Sequence, residues 1–455
     1  MFTKGMNRVS IWAWVAALGA VPAAAQMAPV AAPPRLQPMP APASGSSAKT
    51  APDPLAPGNK AVVTDGAQLA LPPAPLPPAI WDPGSVGQLA EAIRNSSADG
   101  LNPGDYDLAG LQAAAASGDI AAMSAAGTQR FDLLSSDLAL GHVRRVARIQ
   151  WFVTDGDLNA QTQDTLLRQA LATHDVGGAL ASLLPTHPQY AALKAALAAT
   201  AEADSARRDK IRLNMDRWRW LPRDLGHKYI IVNVPGFHAT LVENGVNRWK
   251  QRAIAGALKT PTPQLSATAV GVMLNPSWEV PPSITHEVAG KKGFVPVMKD
   301  GKLIRWSQPP GPANALGQAK FVMYNPHNIY LHDTNARSRF TSRMRALSHG
   351  CIRTEHILDL AGQLLGDDGG QWTPDKIRAQ LATGKTRQAN FVNPVPVYIV
   401  YFSSAALLDG QIVDYADLYG RDAKALAALH SKDGGAEMFK AKAKMAAPAG
   451  KTVAR

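Results

Sequence analysis

Residues 229–249 read YIIVNVPGFHATLVENGVNRW, and this stretch predicts the start of a β domain. Residues 229–234 are rich in β-branched and aromatic side chains, as strands are, and residues 239–243 repeat that composition. Asn244-Gly245 follows, the dipeptide that favours a two-residue type I′ hairpin turn. The stretch therefore predicts a strand at residues 229–234, followed by a hairpin in which the tight turn joins residues 239–243 to residues 246–249.

Further strands and a few helices are predicted downstream. Strand-like composition recurs at residues 271–274, 320–324, 329–332 and 397–402. One helix is expected to start after Cys351 and run to about residue 365. A second is expected from Thr373-Pro374-Asp375 to Gly384, with Thr as N-cap and Pro at the first helical position. Residues 221–420 are thus predicted to form a mostly β domain with a few helices.

The region before this domain has helical periodicity. Apolar residues recur at helical spacing in residues 86–95, 107–116, 131–149, 162–173, 177–184, 189–203 and 205–220. Residues 80–220 are therefore predicted to be an all-helical scaffold domain without visible chemistry. The predicted fold class of the whole chain is α+β, a helical N-terminal domain followed by a mostly β domain.

Residues 1–25 have the three parts of a secretory signal peptide. Lys4 and Arg8 make a positive start, residues 9–21 are apolar, and residues 23–25 (AAA) offer a small-residue cleavage site. The apolar run falls short of the roughly 20 residues that a membrane span needs. Export to the periplasm is therefore favoured over a retained anchor.

Two segments outside the predicted domains have biased composition. Residues 26–79 are dominated by Pro, Ala, Gly and Ser, which predicts a disordered linker. Residues 421–455 are predicted to form a basic tail, which either binds an anionic surface electrostatically or only increases solubility.

The charge balance favours an anionic neighbourhood. The 455 residues carry 47 Lys and Arg against 35 Asp and Glu, a net charge of +12. That sign alone does not choose between an acidic polymer, membrane headgroups and nucleic acid. For an exported protein we expect peripheral contact with an anionic envelope surface and no nucleic-acid partner.

The chain has a single cysteine, which excludes intramolecular disulfides and any cysteine-built zinc or iron–sulfur site. A lone cysteine is usually a buried packing residue. Here, however, it lies in Ser348-His349-Gly350-Cys351, a polar segment whose glycine permits a sharp bend, and such a segment disfavours burial in a hydrophobic core. The context favours a reactive thiol at an exposed corner between a strand and a helix.

A nucleophilic thiol needs a base or a positive potential, and the neighbouring sequence offers both. His332 and His349 are candidate bases, and the helix expected from about Thr354 would place its positive end beside Cys351. The amides of Gly350 and Cys351 are candidate donors to an oxyanion. The potential would be raised further by the nearby basic residues Arg337, Arg339, Arg343, Arg345 and Arg353.

Other interpretations of these residues stay open. His332 could be a structural histidine, and Asp333 a turn residue. A metal site of His332, His349 and His356 is conceivable, but the chain has no HExxH or comparable ligand spacing. No metal and no cofactor are therefore predicted.

The motifs together resemble the L,D-transpeptidases with a YkuD-type catalytic domain. That family has a histidine followed after a spacer by Ser/Thr-His-Gly-Cys, as His332 and residues 348–351 are here. Flanking segments resemble the large periplasmic murein enzymes of the YcbB type. These are NMDRWRWLP (214–222), NPSWEVPP (275–282), PGPANALGQAKF (310–321) and IYLHDT (329–334).

The resemblance implies a cysteine mechanism acting on peptidoglycan stem peptides. His332, oriented by a backbone carbonyl near Asp333, would take the proton of Cys351. The thiolate would attack the L-centre carbonyl of meso-diaminopimelate in a tetrapeptide stem and release D-alanine. An amine of a second stem, or of an envelope protein, would then take the acyl group.

The resemblance also implies roles around this pair and a class of inhibitor. Arg353 would bind a substrate carboxylate, Tyr330 and Ser348 would line the substrate site, and His349 would shape the pocket. Carbapenems would acylate Cys351.

Two departures from the family pattern bear on function. Only a short helix-like linker, residues 201–213, stands where relatives often carry a peptidoglycan-binding module, and the flap insertion at residues 283–309 is short. An L,D-carboxypeptidase of the same fold and a non-catalytic wall-binding scaffold stay open as alternatives. A papain-like peptidase is a weaker one, because the expected downstream His and Asn are not seen.

Overall fold

The predicted hairpin is present in the β domain of a computed structural model, which describes residues 77–154, 156–367, 369, 371–407 and 411–436. The turn residues Asn244 and Gly245 have φ angles of 51° and 74°, both positive as a type I′ turn requires. The predicted signal peptide, the linker up to residue 76 and the tail beyond residue 436 lie outside the described residues.

The strands of the β domain form a sheet that closes on itself. The described strands are β1 Trp151–Phe152, β2 Lys228–Asn233, β3 His238–Glu243, β4 Val246–Gly256, β5 Gln264–Leu274, β6 Trp278–Glu279, β7 Val295–Lys299, β8 Lys302–Gln308, β9 Ala319–Met323, β10 Leu331–His332, β11 Ala346–Ser348, β12 Ile352–Thr354, β13 Arg387–Val400, β14 Ser404–Ala406 and β15 Ile412–Asp414. The main sheet has the order β1-β5-β13-β2-β3-β4-β12-β10-β9, with β11 beside β4. Because β9 also pairs with β5, the sheet closes like a barrel.

Alternate residues of β2 and β3 supply two different cores, as the two-residue period of a strand requires. Ile230 and Leu241 belong to the largest buried cluster, which helices after β12 complete on one side. Their sequence neighbours Tyr229 and Val242 belong to a second cluster, which they share with helical residues. The sheet is therefore packed on both faces.

The helices lie mostly before the sheet in sequence. The described helices are α1 Pro83–Asn95, α2 Leu108–Ala116, α3 Ile120–Leu140, α4 Ala160–Ala172, α5 Val176–Ala181, α6 Pro188–Ala199, α7 Ser205–Arg219, α8 Thr285–Val288, α9 Ile357–Asp367, α10 Pro374–Ala382 and α11 Asp422–Leu429. The predicted α+β fold class, with a helical N-terminal region and a mostly β domain carrying few helices, is confirmed. No helix of the described residues is long and apolar enough to cross a membrane.

Two details of the helical region were predicted wrongly. The helix expected at residues 131–149 starts earlier, at Ile120, and ends before Gly141. The region is also not all helical, because β1 pairs in parallel with β5 and so extends the closed sheet. Two residues are too few for a strand pattern to be visible in sequence.

Helix α7 carries the motif NMDRWRW into the contact between the helices and the sheet. Asp216, Arg217 and Arg219 are at most 3% exposed. The Asp216 carboxylate accepts hydrogen bonds from the backbone N–H of His142 at 2.7 Å and from the Trp220 indole at 2.8 Å. Buried charges are unfavourable unless they are paired, so these side chains need their partners at fixed positions. The buried charges of the motif therefore fix where α7 packs.

The predicted tail starts instead as a packed helix. Asp422 of α11 pairs with the buried Arg217 of α7 at 2.7 Å. The helix buries three small or apolar side chains in the second cluster, Ala425, Ala428 and Leu429. The prediction failed because an eight-residue helix with mostly alanine on its buried face has too weak a periodicity to be seen.

A buried ion pair joins the end of α3 to the segment after α11. His142 Nδ1 lies 2.7 Å from the Asp137 carboxylate, and Nε2 lies 2.8 Å from the Ser431 carbonyl. Burial disfavours the charged ring, but the hydrogen bond to Asp137 and its charge outweigh this and raise the pKa of His142 to about 9. The ring is therefore charged at neutral pH.

We expect His142→Gln to lower stability in a pH-dependent way. Because the folded-state pKa of about 9 exceeds the ordinary value of 6.5, the stabilisation is complete below pH 6.5 and is lost as pH rises through 9. At about 1.4 kcal/mol per pKa unit, it amounts to about 3 kcal/mol at most. Thermal unfolding from pH 6 to 10 measures it, and the gap to wild type should narrow at high pH.

His174→Gln is the matched control. This ring is exposed and pairs with Asp82 at 3.4 Å on the surface, so its loss should leave the melting temperature nearly unchanged at every pH. A gap for His142→Gln that is the same at pH 6 and pH 10 would contradict the charged-pair interpretation.

Candidate active site

The pairing of β10 places His332 beside two basic side chains. The strand runs parallel to β12, with His332 opposite Arg353, and antiparallel to β9, with His332 opposite Lys320. Leu331 and Ile352 alternate with these residues and are fully buried in the main core. The three polar side chains therefore share the other face.

Cys351 lies half-buried on this face beside Tyr330. Its thiol donates a hydrogen bond to the Asn328 carbonyl at 3.4 Å, and both the backbone N–H and the hydroxyl of Tyr330 donate to the sulfur. Burial raises the pKa of the thiol, and the Tyr330 contacts and the charges of Lys320 and Arg353 offset only part of that effect. The resting group is a thiol at neutral pH.

His332 is also uncharged at neutral pH. The ring is 4% exposed, and burial together with the charge of Arg353 lowers its pKa to about 3. The backbone of Asp333 opposes this shift in part, yet Nδ1 has no hydrogen-bond partner among the described residues. The ring therefore faces the Asp333 backbone, and its predicted hydrogen bond to a carbonyl there stays a prediction.

The predicted pair is brought to one face without direct contact. Among the described residues, no hydrogen bond joins the Cys351 sulfur to the His332 ring. Tyr330 connects them, because its ring centroid lies 5.6 Å from that of His332 while its hydroxyl reaches the sulfur. The arrangement is an uncharged thiol and an uncharged imidazole bridged by a phenol.

The helix expected directly after Cys351 is absent from that position. Residues 352–354 form β12, and α9 begins only at Ile357. Cys351 therefore sits between two strands, and its positive surroundings come from Lys320 and Arg353 instead of a helix N-terminus. The spacing of apolar residues correctly predicted a helix over residues 357–365, but it did not indicate the residue at which the helix begins.

The loop before the thiol is fixed by buried hydrogen bonds. Gly350 has a φ of 121°, a conformation open to glycine only. Its carbonyl accepts a hydrogen bond from the Thr262 hydroxyl at 2.7 Å, and the same hydroxyl accepts one from the Gly256 N–H at 2.9 Å. Thr262 thus ties the cysteine loop to the end of β4.

Ser348, predicted to line the substrate site, has partners within the cysteine loop. Its side chain is buried, accepts from the Gly350 N–H at 3.1 Å and donates to the Cys351 carbonyl at 2.5 Å. The Gly350 amide is therefore engaged in this structure, and its predicted role as an oxyanion donor stays a prediction. No hydrogen bond engages the Cys351 N–H among the described residues, so this amide is the donor that the site offers.

A flap lies over the site and contacts two of its residues. Strands β6, β8 and β7 form a small sheet that, with α8, has its own apolar cluster, so the flap begins at Trp278, before the predicted residue 283. The Trp278 indole donates to the Tyr330 hydroxyl. His349 is exposed and its Nε2 lies 3.2 Å from the Glu287 carboxylate of α8, so it contacts the flap and not the thiol.

Asp333 and two of the five predicted basic residues, Arg337 and Arg345, have structural partners. The Asp333 carboxylate accepts from the Gln318 N–H and from Arg337, both at 2.9 Å, so its side chain fixes the loop and only its backbone faces His332. Arg345 donates to backbone carbonyls. Arg353 differs, because its half-buried Nε has no partner among the described residues, as a carboxylate-binding residue requires.

Two residues that contact the site, Lys320 and Thr262, were not among the predicted site residues. Lys320 stands between Ala319 and Phe321, both fully buried, so the two-residue period of a strand would have placed it on the face opposite the core. Thr262 lies in a loop and no sequence pattern indicates its role. No three His, Cys, Asp or Glu side chains converge as a metal site in the part of the chain that the structure describes.

Two family models match the chain. Residues 227–399 match the L,D-transpeptidase catalytic domain, YkuD, and residues 78–197 match the scaffold domain. A protein of Haemophilus influenzae described as a candidate L,D-transpeptidase is 32% identical over 240 residues, which cover 47% of this chain and 48% of that protein. The chain thus spans about half the length of the curated relative that it matches.

Solved structures of L,D-transpeptidases resemble part of the chain at low identity. One from Enterococcus faecium is 12% identical with a TM-score of 0.22, and covers 40% of this chain and 52% of its own. One from Mycobacterium smegmatis is 14% identical with a TM-score of 0.20, and covers 38% and 58%.

The two segments are thus similar to two known domains, as the sequence motifs predicted: residues 227–399 to an L,D-transpeptidase catalytic domain and residues 78–197 to a scaffold domain that precedes it.

Proposed function

We propose that the protein is a periplasmic peptidoglycan L,D-transpeptidase with Cys351 as its nucleophile. The observation that carries the proposal is the shared face of Cys351, His332 and Arg353, on which one thiol, one uncharged imidazole and one unpartnered guanidinium converge. A nucleophile, a base and an anion-binding group are what acyl transfer from a carboxylate-bearing peptide needs. The catalytic-domain match supports the same reaction class.

The first step is transfer of the thiol proton. The S–H bond of Cys351 breaks and the proton passes to a ring nitrogen of His332, which is free to accept it because the imidazole is uncharged. The two groups are not hydrogen-bonded in the free protein, and catalytic hydrogen bonds often tighten only when substrate binds. Substrate that displaces the Tyr330 hydroxyl from the sulfur would bring thiol and ring together.

The second step is attack on the L-centre carbonyl of meso-diaminopimelate in a tetrapeptide stem. A C–S bond forms, and the developing oxyanion is held by the Cys351 N–H, which the loop leaves unengaged. The C–N bond to the terminal D-alanine then breaks, and the leaving amine takes the proton from His332. The products of this half-reaction are free D-alanine and a thioester on Cys351.

The thioester is resolved by an amine. The acceptor nitrogen attacks the carbonyl, the C–S bond breaks and the proton returns to the sulfur, so that a new amide forms and the thiol is regenerated. An amine of a second stem gives a 3–3 cross-link, and an amine of an envelope protein gives attachment to the wall. Water as acceptor would make the protein an L,D-carboxypeptidase, which product analysis distinguishes.

Cys351→Ala tests the nucleophile. We expect the variant to fold as wild type does, because the half-buried thiol makes only one hydrogen bond as a donor, but to release no D-alanine and form no cross-linked muropeptide. A carbapenem should add its mass to the wild-type protein and not to the variant. Mass spectrometry of muropeptides and of intact protein measures both, and cross-linking by the variant would refute the thiol mechanism.

The pH dependence of acylation tests the uncharged pair. With the pKa of His332 at about 3 and that of the thiol raised, the rate constant for carbapenem acylation should be nearly flat from pH 5 to 8 and should fall below about pH 4, as His332 is protonated. His332→Ala should be much slower and should instead gain about tenfold per pH unit, since only free thiolate then reacts.

Two outcomes would contradict this pH prediction. An inflection near pH 6.5 in the wild type would mean that His332 titrates as an ordinary histidine. A tenfold rise per pH unit in the wild type would mean that no base assists the thiol.

Thr262→Val tests the fixed loop. The substitution keeps the shape of the side chain but leaves the Gly350 carbonyl and the Gly256 N–H without their buried partner, at a cost of about 1–3 kcal/mol in stability. We expect acylation to slow about tenfold or more, because the Cys351 N–H is then less well positioned.

Thr354→Val is the matched control for the loop. Thr354 is equally buried and lies three residues beyond the thiol, but its hydroxyl has no hydrogen-bond partner among the described residues. Its loss should change stability by less than about 1 kcal/mol and leave acylation unchanged. Equal effects of the two valine substitutions would refute the role of Thr262.

A further inference from the structure

The positive charge near the thiol comes partly from a lysine that has no counter-ion in direct contact among the described residues. Lys320 lies on β9, directly opposite His332. It is half-buried and has neither a hydrogen bond nor an ion pair among the described residues. The nearby carboxylate of Glu279 is engaged by Arg305 at 2.8 Å, so it does not neutralise the lysine.

The ammonium group is held in place by an aromatic ring. Lys320 Nζ lies 3.9 Å from the ring centroid of Tyr330, well within the distance of a cation–π interaction. The hydroxyl of the same ring donates to the Cys351 sulfur. Lys320, Tyr330 and Cys351 therefore form a continuous line of contacts from β9 to the nucleophile.

A half-buried cation without a counter-ion is unfavourable, and the thiol is the group beside it that can become negative. Burial lowers the pKa of Lys320, and its interaction with Cys351 opposes that change. Conversely, the lysine charge lowers the pKa of the thiol. Once the thiol proton leaves, the lysine and the sulfur become an ion pair in a partly desolvated site.

We propose that Lys320 is a positioning residue for the proposed reaction: its ammonium, seated on the Tyr330 ring, stabilises the Cys351 thiolate and holds the phenol hydroxyl against the sulfur. The inference rests on the proposed function. Lys320 thereby supplies the positive potential that was predicted to come from a helix N-terminus. It acts through its electrostatic effect on the sulfur and through its contact with Tyr330, without touching the substrate.

Other charged groups face the thiol and have to be held constant in a test. Arg353 and His332 share its face of the sheet, Tyr330 contacts it, and Arg339 acts on it through Arg353. All of these stay in place when only Lys320 is changed.

The test is the pH dependence of alkylation by iodoacetamide, followed by intact mass. The chain has one cysteine, so the added mass reports on Cys351 alone. Wild type is compared with Lys320→Met, which keeps the length of the side chain without its charge, and with Lys320→Arg, which keeps the charge. Lys250→Met is the control, because burial also lowers the pKa of that lysine but no contact joins it to Cys351.

We expect Lys320→Met to raise the apparent pKa of the thiol by about one unit, and so to slow alkylation about tenfold at pH 7 to 8. Lys320→Arg should restore most of the rate, and Lys250→Met should match wild type. Lys320→Gln serves as a second neutral variant if the methionine variant has a lowered melting temperature. An unchanged thiol pKa in the folded neutral variants, or an equal change in both the methionine and arginine variants, would overturn the proposal.

Steady-state kinetics separates this role from binding of a substrate carboxylate. A neutral variant with an unchanged thiol pKa and a raised KM would make Lys320 a substrate-binding residue and would also overturn the proposal. The alkylation assay needs no peptidoglycan. A shifted thiol pKa in a protein that fails to act on stem peptides would therefore refute the proposed function while leaving the effect of Lys320 on the thiol established.

Discussion

The pairing of β10 with β9 on one side and β12 on the other is the constraint on which the site depends. It sets His332 opposite both Lys320 and Arg353, and it fixes which side chains reach the polar face. A shift of one residue in either register would send Leu331 or Ile352 to that face and the polar groups into the core. Closure of the sheet through β5 and β9 makes such a shift costly, because every strand of the ring would have to move. The chemistry of the site is therefore specified by the same contacts that specify the fold.

This placement leads to an uncharged resting pair. Burial acts in opposite directions on the two titrating groups, raising the pKa of the thiol and lowering that of the imidazole, and both effects favour the neutral forms. Such a cysteine would be protected from adventitious oxidation and alkylation, since the thiolate is the reactive species. The nearby cations and the Tyr330 hydroxyl then lower the cost of forming the thiolate when substrate arrives. In this account the activated nucleophile exists only in the complex.

The sequence predicted the β domain and a cysteine that is not fully buried, because both leave strong local patterns. The strand composition around Asn244-Gly245 and the Ser348–Cys351 context each depend on neighbours in the chain. The failures share one cause, which is dependence on contacts distant in sequence. Nothing near Thr262 indicates that its hydroxyl holds the cysteine loop 88 residues later, and the packing of α11 on α7 was invisible in its alanine-rich sequence. The family resemblance placed Ser348 in the substrate site, but nothing in the local sequence shows that its hydroxyl is buried and bonded within the cysteine loop.

NMR can measure directly whether the Cys351 sulfur beside the uncharged His332 ring is a thiol or a thiolate. In protein labelled with carbon-13 at cysteine, the single Cys351 β-carbon gives one signal whose shift follows the ionisation of the sulfur. We expect a thiol signal throughout pH 6 to 8, with a titration midpoint above the ordinary range for cysteine. A thiolate signal at pH 7 would contradict it and would mean that the resting site holds an ion pair.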